Sequence, residues 1–183
     1  MSFSGKPHAS RDAVERARRI KLILFDVDGV MTDGSLYLAD DGQEYKSFNS
    51  HDGHGLKMLK FSGVDLGIIT GRTSRVVIHR AQNLGIDHIF QGIEDKYSAY
   101  TELISKLNLS PEETAYMGDD VVDLPVMIRC GFAISVPDAP DIVKKHSHYV
   151  TERRGGRGAV REACDFILKS QGNYENLLKK YLE

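Results

Sequence analysis

Residues 20–33, IKLILFDVDGVMTD, decide how the rest of the chain is read. The apolar half, rich in Leu and Ile, has the composition of a buried parallel strand. It runs directly into Asp26 and Asp28, then Gly29. Strand alternation places the two carboxylates on one face at the strand's carboxyl end. Crowding them there costs several kcal/mol in desolvation and repulsion unless a cation or a positive side chain compensates. A strand ending in a polar turn is the plain reading; a metal-bound nucleophile site is the sharper one.

Beyond this stretch, strand-like runs alternate with helical patterns. Residues 34–49, GSLYLADDGQEYKSFN, set two short aromatic and aliphatic segments around Asp41-Gly42, a strong hairpin signal. A hairpin inserted after a strand end hangs over that end, as a flap, an assembly surface or packing on the chain's own body. Residues 50–63 carry Leu56, Leu59 and Lys60 at helical spacing, with Gly63 as a stop. His51 and His54 lie three apart in it without a carboxylate–histidine pattern, a weak metal signature. Residues 64–70, VDLGIIT, read as a second buried strand ending in Thr70-Gly71-Arg72. A helix then starts at Thr73 or Ser74 and is stopped by Gly85. Strand, Thr-Gly and helix start bring N–H groups and a hydroxyl together, a good place for an anion. A Thr-capped turn is the plain alternative.

Residues 87–91 form a short strand and 93–107 a helix with Lys96 in its first turn. The helix dipole disfavours positive charge there, and such a cation can act on a nearby anion; a solvated surface lysine is the plain alternative. Ser110-Pro111-Glu112-Glu113 has the capping-box pattern. The strand 114–117 ends in Gly118-Asp119-Asp120 and, after two valines, Asp123. Residues 124–129 and 140–145 read as short helices, 132–136 and 149–151 as strands. This alternation predicts an α/β fold, a Rossmann-like, mostly parallel sheet flanked by helices, in one domain over 1–183. The tail, residues 153–183, opens with RRGGRGAVRE. Gly155-Gly156 permits a flexible, close-approaching loop bearing Arg153, Arg154 and Arg157, and a helix follows from Ala159.

Bulk composition excludes several classes. A formal charge of −2 provides no global field toward nucleic acid or an acidic membrane. No basic, aromatic-laced groove argues for a nucleic-acid substrate. The basic segment 12–19 reads as a short surface helix capped by Ser10 or Asp12. Cys130 and Cys164 are too few for a disulfide framework and fit a reducing cytoplasm. No apolar run reaches the length of a membrane span, and the N-terminus lacks the apolar core of a signal peptide.

In a doubly wound sheet the strands' carboxyl ends form the ligand crevice. Asp26, Asp28, Thr70, Asp119, Asp120, Asp123 and Lys96 all fall there. Clustered carboxylates without a Cys/His set favour a hard cation, Mg²⁺ over Zn²⁺. The motifs DVDGV (26–30), Thr70-Gly71, Lys96 and GDDVVD (118–123) occur in the order and context of the haloacid dehalogenase superfamily, which the chain resembles. The resemblance implies Asp26 as nucleophile and Asp28 as general acid/base. It implies Mg²⁺ bound by Asp26, the backbone carbonyl of Asp28, and Asp119. Thr70, Gly71 and Lys96 would hold the phosphoryl group, with Asp120 or Asp123 steadying Lys96 or metal-bound water.

There is little room for a large cap domain. Within the superfamily the chain is similar to the phosphatases of 3-deoxy-D-manno-octulosonate 8-phosphate, a sugar acid of lipopolysaccharide precursor synthesis. The shared stretches are DVDGVMTDG, DGHGLK, ITGR, the segment 85–92 before Lys96, and GGRGAVRE. That family implies a homotetramer built on the hairpins, with the C-terminal tail able to reach a neighbour's site. It also implies Arg72 on the substrate carboxylate, helped by Arg80 of a neighbouring subunit. Phosphatases of nine-carbon nonulosonate 9-phosphates tend to carry Glu in place of Arg72, which favours the eight-carbon acid. Asp95 stands where relatives often have Asn. A non-catalytic oligomerisation domain of the same fold is the remaining alternative, and the intact acidic motifs weigh against it.

Overall fold

The computed structural model describes residues 10–183. The start of the segment read as lacking a signal peptide lies outside them. The first elements are α1 (Arg11–Ala17), β1 (Leu22–Phe25), β2 (Tyr37–Leu38), β3 (Glu44–Tyr45), α2 (Ser50–Phe61) and β4 (Asp65–Ile69). There follow α3 (Arg75–Leu84), β5 (His88–Phe90), α4 (Lys96–Lys106), β6 (Thr114–Met117) and α5 (Leu124–Met127). The chain ends with β7 (Phe132–Ser135), α6 (Asp141–Lys145), β8 (Tyr149–Val150), α7 (Ala159–Ser170) and α8 (Tyr174–Leu182).

Six strands pair in parallel in the order β5-β4-β1-β6-β7-β8. β1 is flanked on both edges, by β4 from Leu22↔Asp65 to Phe25↔Ile68 and by β6 from Leu22↔Thr114 to Phe25↔Met117. Its four residues are therefore all buried, which is why the run LILF shows no polar alternation. The chain leaves β1 toward β4 and β5, then returns to build β6, β7 and β8 on the other side. The order thus reverses between β1 and β6, and a crevice opens beyond the carboxyl ends of those two strands. β2 and β3 form the only antiparallel pair among the described residues, a hairpin over that end of the sheet; no large cap is present.

Local caps account for the element boundaries. Ser10 accepts the Ala13 N–H at 3.1 Å and starts α1. α4 begins at Lys96, not Ile93, because Asp95 accepts the N–H groups of Tyr97 and Ser98, each at 3.1 Å. The departure from Asn at this position is thus a cap exchanged for an equally good one. α5 is shorter than expected and ends at Met127, the chain turning through Ile128 toward β7.

The tail is not an appendage. α7 packs along α2 and α1 and buries Ala159, Val160, Ala163, Cys164, Ile167 and Leu168. Its first turn has no cap of its own; Asp52 of α2, itself buried, accepts the N–H groups of Gly158 at 3.3 Å and Arg161 at 2.8 Å. The DGHGLK stretch is thereby a helix-docking element, and the weak histidine signature within it dissolves: His51 and His54 are exposed, His54 lying edge-on to Tyr181. The loop expected to be flexible is packed against residues 29–33. A β-carbon at Gly155 would lie 1.8 Å from the Gly29 carbonyl oxygen, and Gly156 N–H donates to the Val30 carbonyl at 3.0 Å. Arg157 pairs with Asp33 at 3.1 Å. Removing the chain from Arg153 onward would therefore strip a core helix and cannot isolate an effect on turnover.

Asp52→Ala is expected to destabilise the protein by about 1–2 kcal/mol through loss of this cap. Urea denaturation checks it, and an unchanged midpoint would show that α7 docks by apolar packing alone.

Candidate active site

The hydrogen-bond ladder of β1 runs one residue past the strand, Asp26 N–H donating to the Met117 carbonyl at 2.9 Å. There the chain turns: the N–H groups of Val30, Met31 and Thr32 all converge on the Val27 carbonyl, at 3.3, 2.9 and 3.0 Å. Gly29 sits in this turn at φ +88°, and a β-carbon on it would lie 2.0 Å from Asp119 Oδ2. Only glycine lets the loop after β1 close against the loop after β6.

At the base of the crevice lies Lys96, 3% exposed, with Nζ 2.7 Å from Asp123 Oδ1 and 3.1 Å from Asp26 Oδ1. Asp123 is wholly buried and saturated. Its Oδ1 also accepts the Tyr116 hydroxyl at 2.8 Å, and its Oδ2 accepts the N–H groups of Asp119 at 3.0 Å and Asp120 at 3.1 Å. Asp26 Oδ1 additionally accepts its neighbour's N–H, Val27, at 2.7 Å. Asp119 is different: its Oδ1 is buried with no hydrogen-bond partner among the described residues. Asp26, Asp119 and Asp123 each bring a carboxylate oxygen within 4.8 Å of the others.

The electrostatics follow from this count of charges. Three carboxylates face one ammonium, leaving two negative charges uncompensated. Burial, then the repulsion of Asp123, pushes Asp26 up to about 6 against the pull of Lys96. Burial, then Asp123, Asp26 and Asp120, pushes Asp119 up to about 7. Burial works against the charge on Lys96, yet Asp123 and Asp26 outweigh it and hold its pKa above the ordinary value. A buried orphan carboxylate oxygen and an excess of two negative charges suit a hard divalent cation bound through oxygen. Since four donors saturate Asp123, Asp26 and Asp119 are the carboxylates that fit it.

Asp28 is not part of this cluster. The strand ends at Phe25, so alternation does not fix where Asp28 points, and the two carboxylates meet different cations. Asp28 Oδ1 instead lies 2.5 Å from Lys46 Nζ, and its Oδ2 lies 3.8 Å from Arg72 Nε. Glu44 joins the pair, 2.9 Å from Lys46 and 3.2 Å from Arg72. Sequence reading missed Glu44, Lys46 and Tyr116. The signal for the first two was the period of two in residues 44–46, which turns Glu44 and Lys46 to the crevice and leaves Tyr45 exposed. Tyr116 carries no such sign, being one more buried residue of β6.

Thr70 closes β4, 2% exposed, its N–H on the Phe90 carbonyl at 2.9 Å and its carbonyl accepting from Ile93 at 3.1 Å. Gly71 follows in the exposed turn leading to Arg72. Asp120 does not steady Lys96; its Oδ1 caps Val121 N–H at 2.7 Å. Arg80 lies apart, donating to the Asn49 carbonyl at 3.0 Å with its guanidinium 5.7 Å above the Phe48 ring.

Comparison with known proteins places the chain in a family. The chain is 48% identical over 164 residues, 90% of its length, to the 3-deoxy-D-manno-octulosonate 8-phosphate phosphatase of Yersinia pestis, covering 88% of that protein. The chain belongs to this phosphatase family. Residues 88–163, which hold Lys96, Asp119 and Asp123, match the haloacid dehalogenase-like hydrolase family. The corresponding phosphatase of Moraxella catarrhalis, solved with a magnesium ion, a phosphate ion and a KDO molecule, superposes with a TM-score of 0.91 at 44% identity. That match covers 93% of this chain and 98% of the other. A probable YrbI-family phosphatase of Pseudomonas syringae gives 0.94 at 49% identity, over 95% and 99% of the two chains.

The raised carboxylates of this phosphatase carry a pH consequence. In metal-free protein the folded state holds a proton on Asp119 up to about pH 7, whereas an unfolded carboxyl releases it near 3.8. Between those values the folded state binds more protons, so its stability falls as pH rises. Thermal melts of metal-free protein should therefore show a decline from pH 4 to 7, which saturating Mg²⁺ reverses and Asp119→Asn flattens. A profile identical in wild type and variant would contradict the repulsion described.

Proposed function

We propose that the chain is a Mg²⁺-dependent phosphatase that hydrolyses 3-deoxy-D-manno-octulosonate 8-phosphate to the free sugar acid and phosphate. The observation that carries this reading is the pairing of Asp26 with buried Lys96 beside the orphaned Asp119 oxygen. It gives a carboxylate nucleophile, a fixed cation and a metal-ready ligand in one crevice. The likeness to the Moraxella catarrhalis enzyme supplies the substrate class.

In this reading Asp26 attacks phosphorus in line through one carboxylate oxygen, and the bond from phosphorus to the sugar oxygen breaks. Asp28 gives its proton to that departing oxygen, then takes one from the water that attacks the aspartyl-phosphate. Inorganic phosphate leaves and both carboxylates return to their starting states. Lys96 lowers the repulsion between Asp26 and the phosphoryl group, and Asp123 with Tyr116 holds Lys96 in place. The Thr70 hydroxyl and the Gly71 N–H hold phosphoryl oxygens. Asp26, Asp119 and the backbone carbonyl of Asp28 would hold Mg²⁺, which would neutralise phosphoryl charge when bound. Arg72, half-exposed at the mouth, receives the sugar acid's carboxylate, with Arg80 reaching in from a neighbouring subunit; Asp120 would steady a water ligand of the bound ion.

The chain works as one domain over residues 1–183, with residues 34–49 inserted as the hairpin, and assembles as a homotetramer. Support for assembly comes from Leu36, Tyr37, Leu38 and Tyr45, each at least half exposed on the hairpin. Two buried, unpaired cysteines support a reducing, cytoplasmic location. Among the described residues no helix is long and apolar enough to cross a membrane.

Phosphate release from this substrate should require Mg²⁺, stop on chelation, and fall by a factor on the order of 10³ or more in Asp26→Asn. A wild type that releases none would overturn the substrate, and a near-normal Asn variant the nucleophile. Light scattering should give about four times the monomer mass, dropping on Tyr37→Glu with Leu38→Glu. A monomeric wild type would rule out a site shared between subunits.

A further inference from the structure

Lys46 sits on an exposed hairpin beside Tyr45, which is 55% exposed, yet its own side chain is 1% exposed. An ammonium is buried this completely only when its charge is matched, since leaving it unpaired costs several kcal/mol. The match is double: Asp28 Oδ1 at 2.5 Å and Glu44 Oε1 at 2.9 Å. Asp28 has no other hydrogen bond among the described residues. Its second oxygen, Oδ2, faces Arg72 Nε at 3.8 Å, beyond hydrogen-bond length.

We infer that Lys46 is a positioning residue of the reaction. By occupying Oδ1 it holds the Asp28 carboxylate toward the hairpin, away from the Asp26–Asp119 pair, and leaves Oδ2 as the oxygen that exchanges protons. Glu44 anchors the Lys46 ammonium from the same strand face, so the hairpin, not a cap domain, aims the acid/base. Without Lys46 the carboxylate has no tether, and its Oδ2 no longer holds one position toward the leaving oxygen. The inference rests on the reading of Asp28 as the acid/base.

The test compares Lys46→Met, Lys46→Arg and Asp28→Asn with wild type on two substrates. The sugar-acid phosphate needs a proton on its leaving oxygen; p-nitrophenyl phosphate does not. Lys46→Met should lose roughly 10- to 100-fold in kcat on the sugar-acid phosphate, a part of the general acid–base contribution, with KM within about threefold. On p-nitrophenyl phosphate it should keep a rapid burst of nitrophenolate, one per site, followed by slowed turnover. Calorimetry should give a Mg²⁺ affinity within about threefold of wild type, and Lys46→Arg should recover most of kcat. An unchanged kcat in Lys46→Met, a rise in KM alone, or loss of Mg²⁺ binding would each overturn the inference. If Asp28→Asn itself turns over normally, the reading of Asp28 fails instead, a result distinct from those three.

Discussion

One buried ammonium organises this site. Lys96 lies at the start of α4, where the helix dipole disfavours it, and 3% exposed, where solvation does not help it. It stays charged because Asp26 and Asp123 face it from the ends of two central strands. Asp123 in turn gathers Tyr116 and the backbone of residues 119 and 120, so a single carboxylate ties Lys96, the core of β6 and the loop after it. Remove that carboxylate and the phenol and two N–H groups lose their partner in a low-dielectric interior, while the ammonium keeps only Asp26.

The arrangement leaves negative charge in surplus, and this surplus has chemical use. Asp26 and Asp119 are both held up in pKa by burial and by Asp123. A divalent cation would relieve that repulsion and, in the proposed mechanism, keep Asp26 as the anion that attacks phosphorus. The energetic tension and the metal requirement are thus one property. The second carboxylate of the motif is treated differently, drawn outward by Lys46 into an alternating ring with Glu44 and Arg72. Two residues apart in the chain, Asp26 and Asp28 meet separate lysines from separate elements, and the proposed mechanism gives the two carboxylates different tasks.

Much of this was legible in the residues. The apolar strands, the Asp41-Gly42 hairpin, the motifs at strand ends and the all-round burial of β1 follow from composition, periodicity and turn chemistry, which act over a few residues. Asp26, Asp119 and Lys96 were placed together by the rule that strand ends share one crevice, and they do meet. Other features were misread because they depend on distant partners. The glycines of the tail suggested mobility, yet they serve close packing against residues 29–33. Asp52 drew no reading of its own, and its carboxylate caps a helix more than a hundred residues later.

The sequence by itself determined the order of strands and helices, the crevice, and the set of groups able to carry phosphoryl chemistry. These are local preferences added along one parallel sheet. Only the tertiary structure decided which cation answers which carboxylate. Lys46 goes to Asp28, Lys96 to Asp26 and Asp123, and Asp119 Oδ1 keeps no partner among the described residues. The physical reason is that charge pairing at a few ångströms depends on where the hairpin and the loops close in space, and spacing along the chain does not encode that distance.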